Sequence, residues 1–144
     1  MPEEFESVYH VWGRDFSNAG KVSTSIKDTL KRLGIKPVVV RRVAIVSYEA
    51  EMNLVMYALR GTVSLSVSRE AITLTVDDQG PGIPDVSLAM QEGYSTATAE
   101  MREMGFGAGM GLPNIQKNAD EFDIRSEVGR GTRLYIRVLH AAQV

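Results

Sequence analysis

The chain has 144 residues, 44% of them hydrophobic and 24% charged, with a formal net charge of −2 and no cysteine. That length accommodates one domain with a buried core, and the slightly acidic balance argues against a nucleic-acid partner, which usually leaves a basic footprint. Without cysteine there is no disulfide, thiolate metal site or thiol nucleophile. With no long apolar run and an acidic Met1-Pro2-Glu3-Glu4 start, a cytoplasmic protein with no membrane partner is expected.

Phe5 to Phe16 alternates loosely and predicts an edge strand carrying Trp12, the only tryptophan. Ser17-Asn18 predicts the N-cap of a helix reaching about Leu33, with Ile26, Leu30 and Leu33 on one face. Gly34 and, just beyond it, Pro37 mark its end. A longer helix from about Val39 to Leu59 follows from the stripe Val43, Val46, Ala50, Leu54 and Tyr57, and closes at Arg60-Gly61. The basic residues between Lys36 and Arg42 read as its solvated start. Thr62 to Val67 and Ala71 to Val76 alternate strictly on either side of Ser68-Arg69-Glu70, the pattern of a hairpin. Glycine, serine and threonine then dominate from Gly80 to Gly111, an irregular stretch long enough to suggest a functional lid or loop. A short helix from Pro113 to about Asp120 precedes a second hairpin, Phe122 to Val128 and Thr132 to Leu139, turned by Gly129-Arg130-Gly131. His10 and His140 sit near opposite ends of the chain in strand-like contexts and read as structural or surface residues. The order of elements predicts a single α+β domain over 1–144, with helices on one face of a sheet.

Three short stretches carry chemistry. Glu49 and Asn53 lie one helical turn apart on the same face, beside the apolar stripe, at the edge of the core where a cleft can open. Glu51, about 200° around the helix from them, is expected to face solvent. In the first hairpin, Asp78 shares the parity of Ile72, Leu74 and Val76, so it points inward at the strand end, whereas Asp77 reads as a turn residue. An inward carboxylate needs a partner, and the exocyclic amine of adenine is one; taken alone, Asp78 serves equally as a cap for the Gly80-Pro81-Gly82 bend. Finally, Gly107, Gly109 and Gly111 alternate before Leu112-Pro113, so that a glycine-rich loop feeds a helix N-terminus, a ready phosphate site. No Lys-Ser/Thr follows, which excludes a P-loop, and the glycine spacing excludes a dinucleotide fingerprint.

In this order, the motifs EAEMN (49–53), DQGPGIPD (78–85), GYST (93–96), GAGMGLP (107–113) and GRGT (129–132) resemble the GHKL (Bergerat) ATP-binding fold of gyrase, heat-shock-90-type chaperones, histidine kinases and mismatch-repair ATPases. Within it the chain looks most like the small bacterial anti-sigma and RsbT-type switch serine kinases, over about Val43 to Val138. The resemblance implies a two-layer sandwich with a mixed β-sheet, helices on one face and an ATP lid over about 91–110. It implies ATP and Mg²⁺ as cofactors, Asn53 as the magnesium ligand and Glu49 as the general base acting on an incoming serine. Asp78 would bind adenine, with Gly80, Gly82 and Ile83 beside it and Thr132 supporting it. Gly107, Ala108, Gly109, Met110, Gly111 and Leu112 would wrap the phosphates. Tyr57 stands where anti-sigma relatives often have histidine, which fits the switch-kinase branch. Thr98 to Met104 reads as an insertion in the lid, and Arg102 as a γ-phosphate contact.

The expected function is an ATP-dependent serine protein kinase acting on a partner protein, a STAS-domain antagonist or a sigma factor. A homodimer is one option for its oligomeric state. Two alternatives stand beside this reading: an ATP-responsive binding module without phosphotransfer, and a detached histidine-kinase-like catalytic domain. Glu49 weighs against the second, because a histidine nucleophile needs no such base.

Overall fold

The computed structural model describes residues 5–94 and 110–140. Strand β1 (Phe5–Trp12) is followed by a single 3-10 turn at Phe16–Asn18 and two helices, α1 (Lys21–Arg32) and α2 (Pro37–Tyr57). The hairpin β2 (Arg60–Val67) and β3 (Ala71–Gln79) leads to the short α3 (Val86–Ala89). Helix α4 (Gly111–Asn118) then precedes the hairpin β4 (Glu121–Glu127) and β5 (Gly131–Leu139). The strands form one sheet in the order β1-β2-β3-β5-β4. All four ladders are antiparallel, so the sheet expected to be mixed is antiparallel among the described residues.

Strand alternation builds the core in rows. Leu65 pairs Leu74, which pairs Ile136, which pairs Phe122; one row over run Val63, Val76, Leu134 and Ile124. Except for the half-buried edge residues Phe122 and Ile124, these side chains are fully buried beneath α1 and α2, together with Ile26, Leu30, Val43, Val46, Ala50 and Leu54. Removing each such aliphatic side chain from water stabilises the fold by about 1.5–3 kcal/mol. The next inward row changes character: Gly61 opposite Asp78, and Thr132 opposite Ser126. Here the apolar packing stops and a cleft begins.

Several boundaries differ from the sequence reading. Strand β1 ends at Trp12, and the chain turns through Gly13 and Arg14, whose φ is +67°. Ser17-Asn18 caps no helix: the Asn18 amide donates to Asp15, and α1 starts later, after Gly20. Leu33, expected on the buried face, is exposed. Pro37 is the first residue of α2, where its missing N–H costs nothing. Arg60-Gly61 belongs to β2 instead of closing the helix. Arg42 is tied down rather than solvated, donating to the Asn118 carbonyl at 3.0 Å and pairing with Asp120 at 3.1 Å. The Leu139 N–H, donating to Asp120, holds that carboxyl below its usual range, with Arg42 adding to the effect against partial burial. His140 contacts the Ser68 carbonyl through Nε2, a structural contact, and His10 is exposed.

Glu51 is the largest correction. It is 1% exposed, and its carboxylate accepts hydrogen bonds from the backbone N–H groups of Gly20, Val22 and Ser23 at 2.9–3.3 Å. It caps α1 from the neighbouring helix, meeting both the orphan N–H groups and the positive dipole end. Helical phase placed it in solvent because that reasoning assumes one buried face. Helix α2 is covered by the sheet on one side and by α1 on another, and buries Met52, Val55 and Met56 as well as Val43, Val46, Ala50 and Leu54 of its stripe. Glu51→Ala is expected to leave these donors unpaired and to lower stability by on the order of 3 kcal/mol in urea titration, whereas Glu49→Ala is expected to change it little.

Candidate functional site

Beyond the end of the apolar rows lies a cleft of about 600 Å³, within the range of small-ligand sites. Helix α2 supplies one wall through Glu49, Asn53 and Tyr57, three positions on one face at four-residue spacing. All three are half-buried; Tyr57, assigned to the apolar stripe, instead lines the cleft. Asp78, Thr132 and Leu134 form the floor, Gly82, Ile83 and the first turn of α3 the opposite side, and the start of α4 the end.

Asp78 sits inward in β3, as parity predicts, and its Oδ1 accepts the Thr132 backbone N–H at 3.1 Å. Burial pushes its carboxyl above the usual carboxylate range; the Thr132 N–H opposes this, and the charge of Asp77 adds to it. Asp77 itself is no turn residue. It lies within β3 on the outer face and pairs with Arg133 at 3.2 Å. Gly131 approaches so closely, at φ +151°, that a Cβ there would fall 2.0 Å from the Asp78 carbonyl oxygen and 2.9 Å from its carboxylate. Only glycine permits that approach.

The segment after β3 is strapped to the β4–β5 turn. Gly80 N–H donates to the Arg130 carbonyl, Gly129 N–H to the Pro81 carbonyl, and Ile83 N–H to the Ser126 hydroxyl at 2.7 Å. Ser126 Oγ also contacts the Gly131 carbonyl and, at 2.8 Å, the Thr132 hydroxyl. Ser126 thus joins the two walls around Asp78. Sequence reasoning missed it; its place opposite Thr132 depends on the hairpin register.

Helix α4 brings its N-terminus onto Glu49 and Asn53. It begins two residues earlier than expected, at Gly111, is anchored by buried Leu112, Pro113 and Ile115, and has neither a side-chain cap nor an acid in its first turn. A Cβ on Gly111 would lie 3.4 Å from Asn53 Oδ1 and 3.6 Å from Glu49 Oε1. The positive end of the helix therefore faces the acid–amide pair at the end of the cleft. Asn114, one turn into α4, donates from Nδ2 to Glu49 Oε2 at 2.9 Å. It too was missed: it follows GAGMGLP directly, and only packing reveals what it touches. Asn53 makes no side-chain hydrogen bond among the described residues and opens into the cleft.

Gly107, Ala108 and Gly109 lie outside the described residues, as do Arg102, the insertion Thr98 to Met104 and most of the expected lid. Met110, Gly111 and Leu112 line the cleft. Among the described residues no group of three or more His, Cys, Asp or Glu is arranged to hold a metal, and no helix is long and apolar enough to cross a membrane. The donor set here fits a divalent cation in a different way. A carboxamide oxygen with no hydrogen bond among the described residues, beside a helix N-terminus, suits Mg²⁺, which takes one or two protein oxygens and completes its shell with phosphate and water.

Residues 39–142 match the family of histidine kinase-, DNA gyrase B- and HSP90-like ATPases. The chain is 30% identical over 112 residues to the serine/threonine-protein kinase RsbT of Bacillus subtilis, a match covering 75% of this chain and 78% of that protein. It is 35% identical over 95 residues to the anti-sigma F factor of Geobacillus stearothermophilus, covering 62% of each. It is also 35% identical over 89 residues to that of Caldanaerobacter subterraneus, covering 58% and 59%. Cleft, motif order and similarity agree: this chain belongs to the histidine kinase-, DNA gyrase B- and HSP90-like ATPase family.

Proposed function

We propose that the chain binds ATP with Mg²⁺ in this cleft and transfers the γ-phosphoryl group to a serine or threonine hydroxyl of a partner protein, within the cytoplasm. The observation that carries the reading is the convergence of Glu49, Asn53 and the N-terminus of α4. One carboxylate stands within a few ångströms of a place where phosphates can lie, and it is oriented by Asn114. The adenine amine would donate to Asp78, held by Thr132 and backed by Ser126. Mg²⁺, held by Asn53, would neutralise phosphate charge.

The transfer balances without any other reactant. The acceptor hydroxyl gives its proton to Glu49, its oxygen forms a bond to the γ-phosphorus, and the bond from that phosphorus to the β–γ bridging oxygen breaks, releasing ADP. The relative named a serine/threonine kinase and those named anti-sigma factors support a substrate that is itself a regulatory protein. By that analogy a STAS-domain antagonist or a sigma factor is the partner to try first.

Asn114 acts here through Glu49, as a positioning residue. Asn114→Ala is expected to lower the phosphotransfer rate by about tenfold, the loss of one hydrogen bond of about 1.4 kcal/mol, with the Kd for ATP unchanged. Single-turnover rates, with nucleotide binding by calorimetry, separate these quantities. A matching loss of ATP affinity would move Asn114 from the base to the nucleotide.

A further inference from the structure

A second depression of about 670 Å³ lies between α1 and α2, and Tyr48 and Glu49 line both it and the cleft. Its floor is apolar: Val40 is buried, and Ile35, Ala44 and Ile45 are half-buried. Its rim is basic. Lys27 and Lys31, one turn apart on α1, and Arg41 on α2 are all exposed, and none forms an ion pair or side-chain hydrogen bond among the described residues. In a chain of net charge −2, three unpaired cations against the single carboxylate of Glu49 give this groove a local field opposite to that of the molecule.

We infer that this groove docks an acidic amphipathic helix of the protein substrate and so delivers the acceptor hydroxyl to Glu49. The chemistry of the groove specifies the occupant. Ile35, Val40 and Ile45 call for apolar side chains at helical spacing, and the flanking lysines and arginine call for glutamate or aspartate beside them. Continuity with the cleft specifies the purpose, because a segment seated between α1 and α2 ends where Tyr48 and Glu49 face the candidate phosphate site. The inference rests on the kinase reading for its purpose; binding to the groove can be measured without any transfer.

The test uses the full chain and three fluorescein-labelled peptides of about 18 residues, long enough to form helix. They share Leu/Ile at helical spacing, and their flanking positions are all Glu, all Gln or all Lys. The Glu peptide is expected to bind at least tenfold more tightly than the other two by fluorescence anisotropy, and to lose at least that factor in Lys27→Glu/Lys31→Glu. Arg41→Glu, a single change at an exposed site, is expected to weaken it severalfold and keeps the test decisive should the double variant fold poorly. Equal binding of all three peptides, or insensitivity to these substitutions, overturns the inference. So does displacement of the Glu peptide by an equal concentration of single-stranded oligonucleotide, because the rim would then accept any polyanion. Failure in these arms with intact ATP binding and phosphotransfer removes the groove alone. Loss of phosphotransfer from the wild-type chain removes the kinase reading and leaves the peptide result standing.

Discussion

Glu49→Ala is expected to lower phosphotransfer by about 10²–10⁴-fold, the usual worth of a positioned general base, while ATP binds with unchanged Kd. The separation follows from the geometry. Glu49 lies at the end of the cleft, engaged with Asn114 and close to Gly111, whereas the proposed adenine contact is Asp78 on the sheet floor. Glu49→Gln keeps the shape and the contact to Asn114 and removes only the base, so it is expected to lose nearly as much activity as Glu49→Ala. Labelled ATP incubated with a lysate, followed by identification of phosphoserine-bearing proteins, reads the outcome and names the substrate. Two results would count against the kinase: unchanged transfer in Glu49→Gln, or no labelled protein under any condition. Intact ATP binding alongside either would favour a module that grips or drops its partner without chemistry.

Asp78→Asn is expected to weaken ATP binding by about 10- to 150-fold, because a hydrogen bond to a charged group contributes roughly 1.5–3 kcal/mol. The Thr132 N–H can still donate to the asparagine oxygen, so the floor keeps its shape. The stability effect runs the other way. Burial raises the Asp78 carboxyl above its usual range, so the neutral acid suits the ligand-free fold better than the carboxylate does. That contribution is fully present below the unfolded carboxylate pKa and is lost as pH rises through the folded one. At neutral pH the ligand-free Asp78→Asn variant should therefore be no less stable than the parent, and its stability should vary less across that window. ATP affinity should fall in the parent, and not in the variant, as pH drops through the raised pKa. Thermal unfolding and calorimetric titration over pH check both; a variant that binds ATP as tightly as the parent would free Asp78 of the adenine.

Exposed pairs give a useful contrast. Lys117 and Glu92 approach to 2.6 Å and Arg125 and Asp123 to 3.1 Å, but their side chains are more than half exposed. Such pairs are each worth about 1 kcal/mol or less. The Glu51 cap, buried and accepting three N–H groups, outweighs them. The architecture of the site is held by such a buried polar contact and by the core rows beneath it.

Local pattern was enough wherever one periodicity met one buried face. Strict alternation identified the first hairpin and set Asp78 inward, because a one-residue slip would send the whole apolar set to solvent, and the Gly129-Arg130-Gly131 turn marked the second. Four-residue spacing put Glu49 and Asn53 on one face of α2, and alternating glycines before Leu112-Pro113 marked where a helix would begin. What the sequence could not determine was which elements face one another. The burial of Glu51 depends on α1 crossing its helix, the contact of Asn114 with Glu49 on α4 packing against α2, and the place of Ser126 on the register of β4 against β5. Periodicity is written in nearest neighbours along the chain, whereas Glu51 meets Ser23 across 28 positions, Asn114 meets Glu49 across 65, and Ser126 joins Ile83 across 43. Chain order alone located the parts of the cleft, and tertiary packing decided which side chains hold them in place.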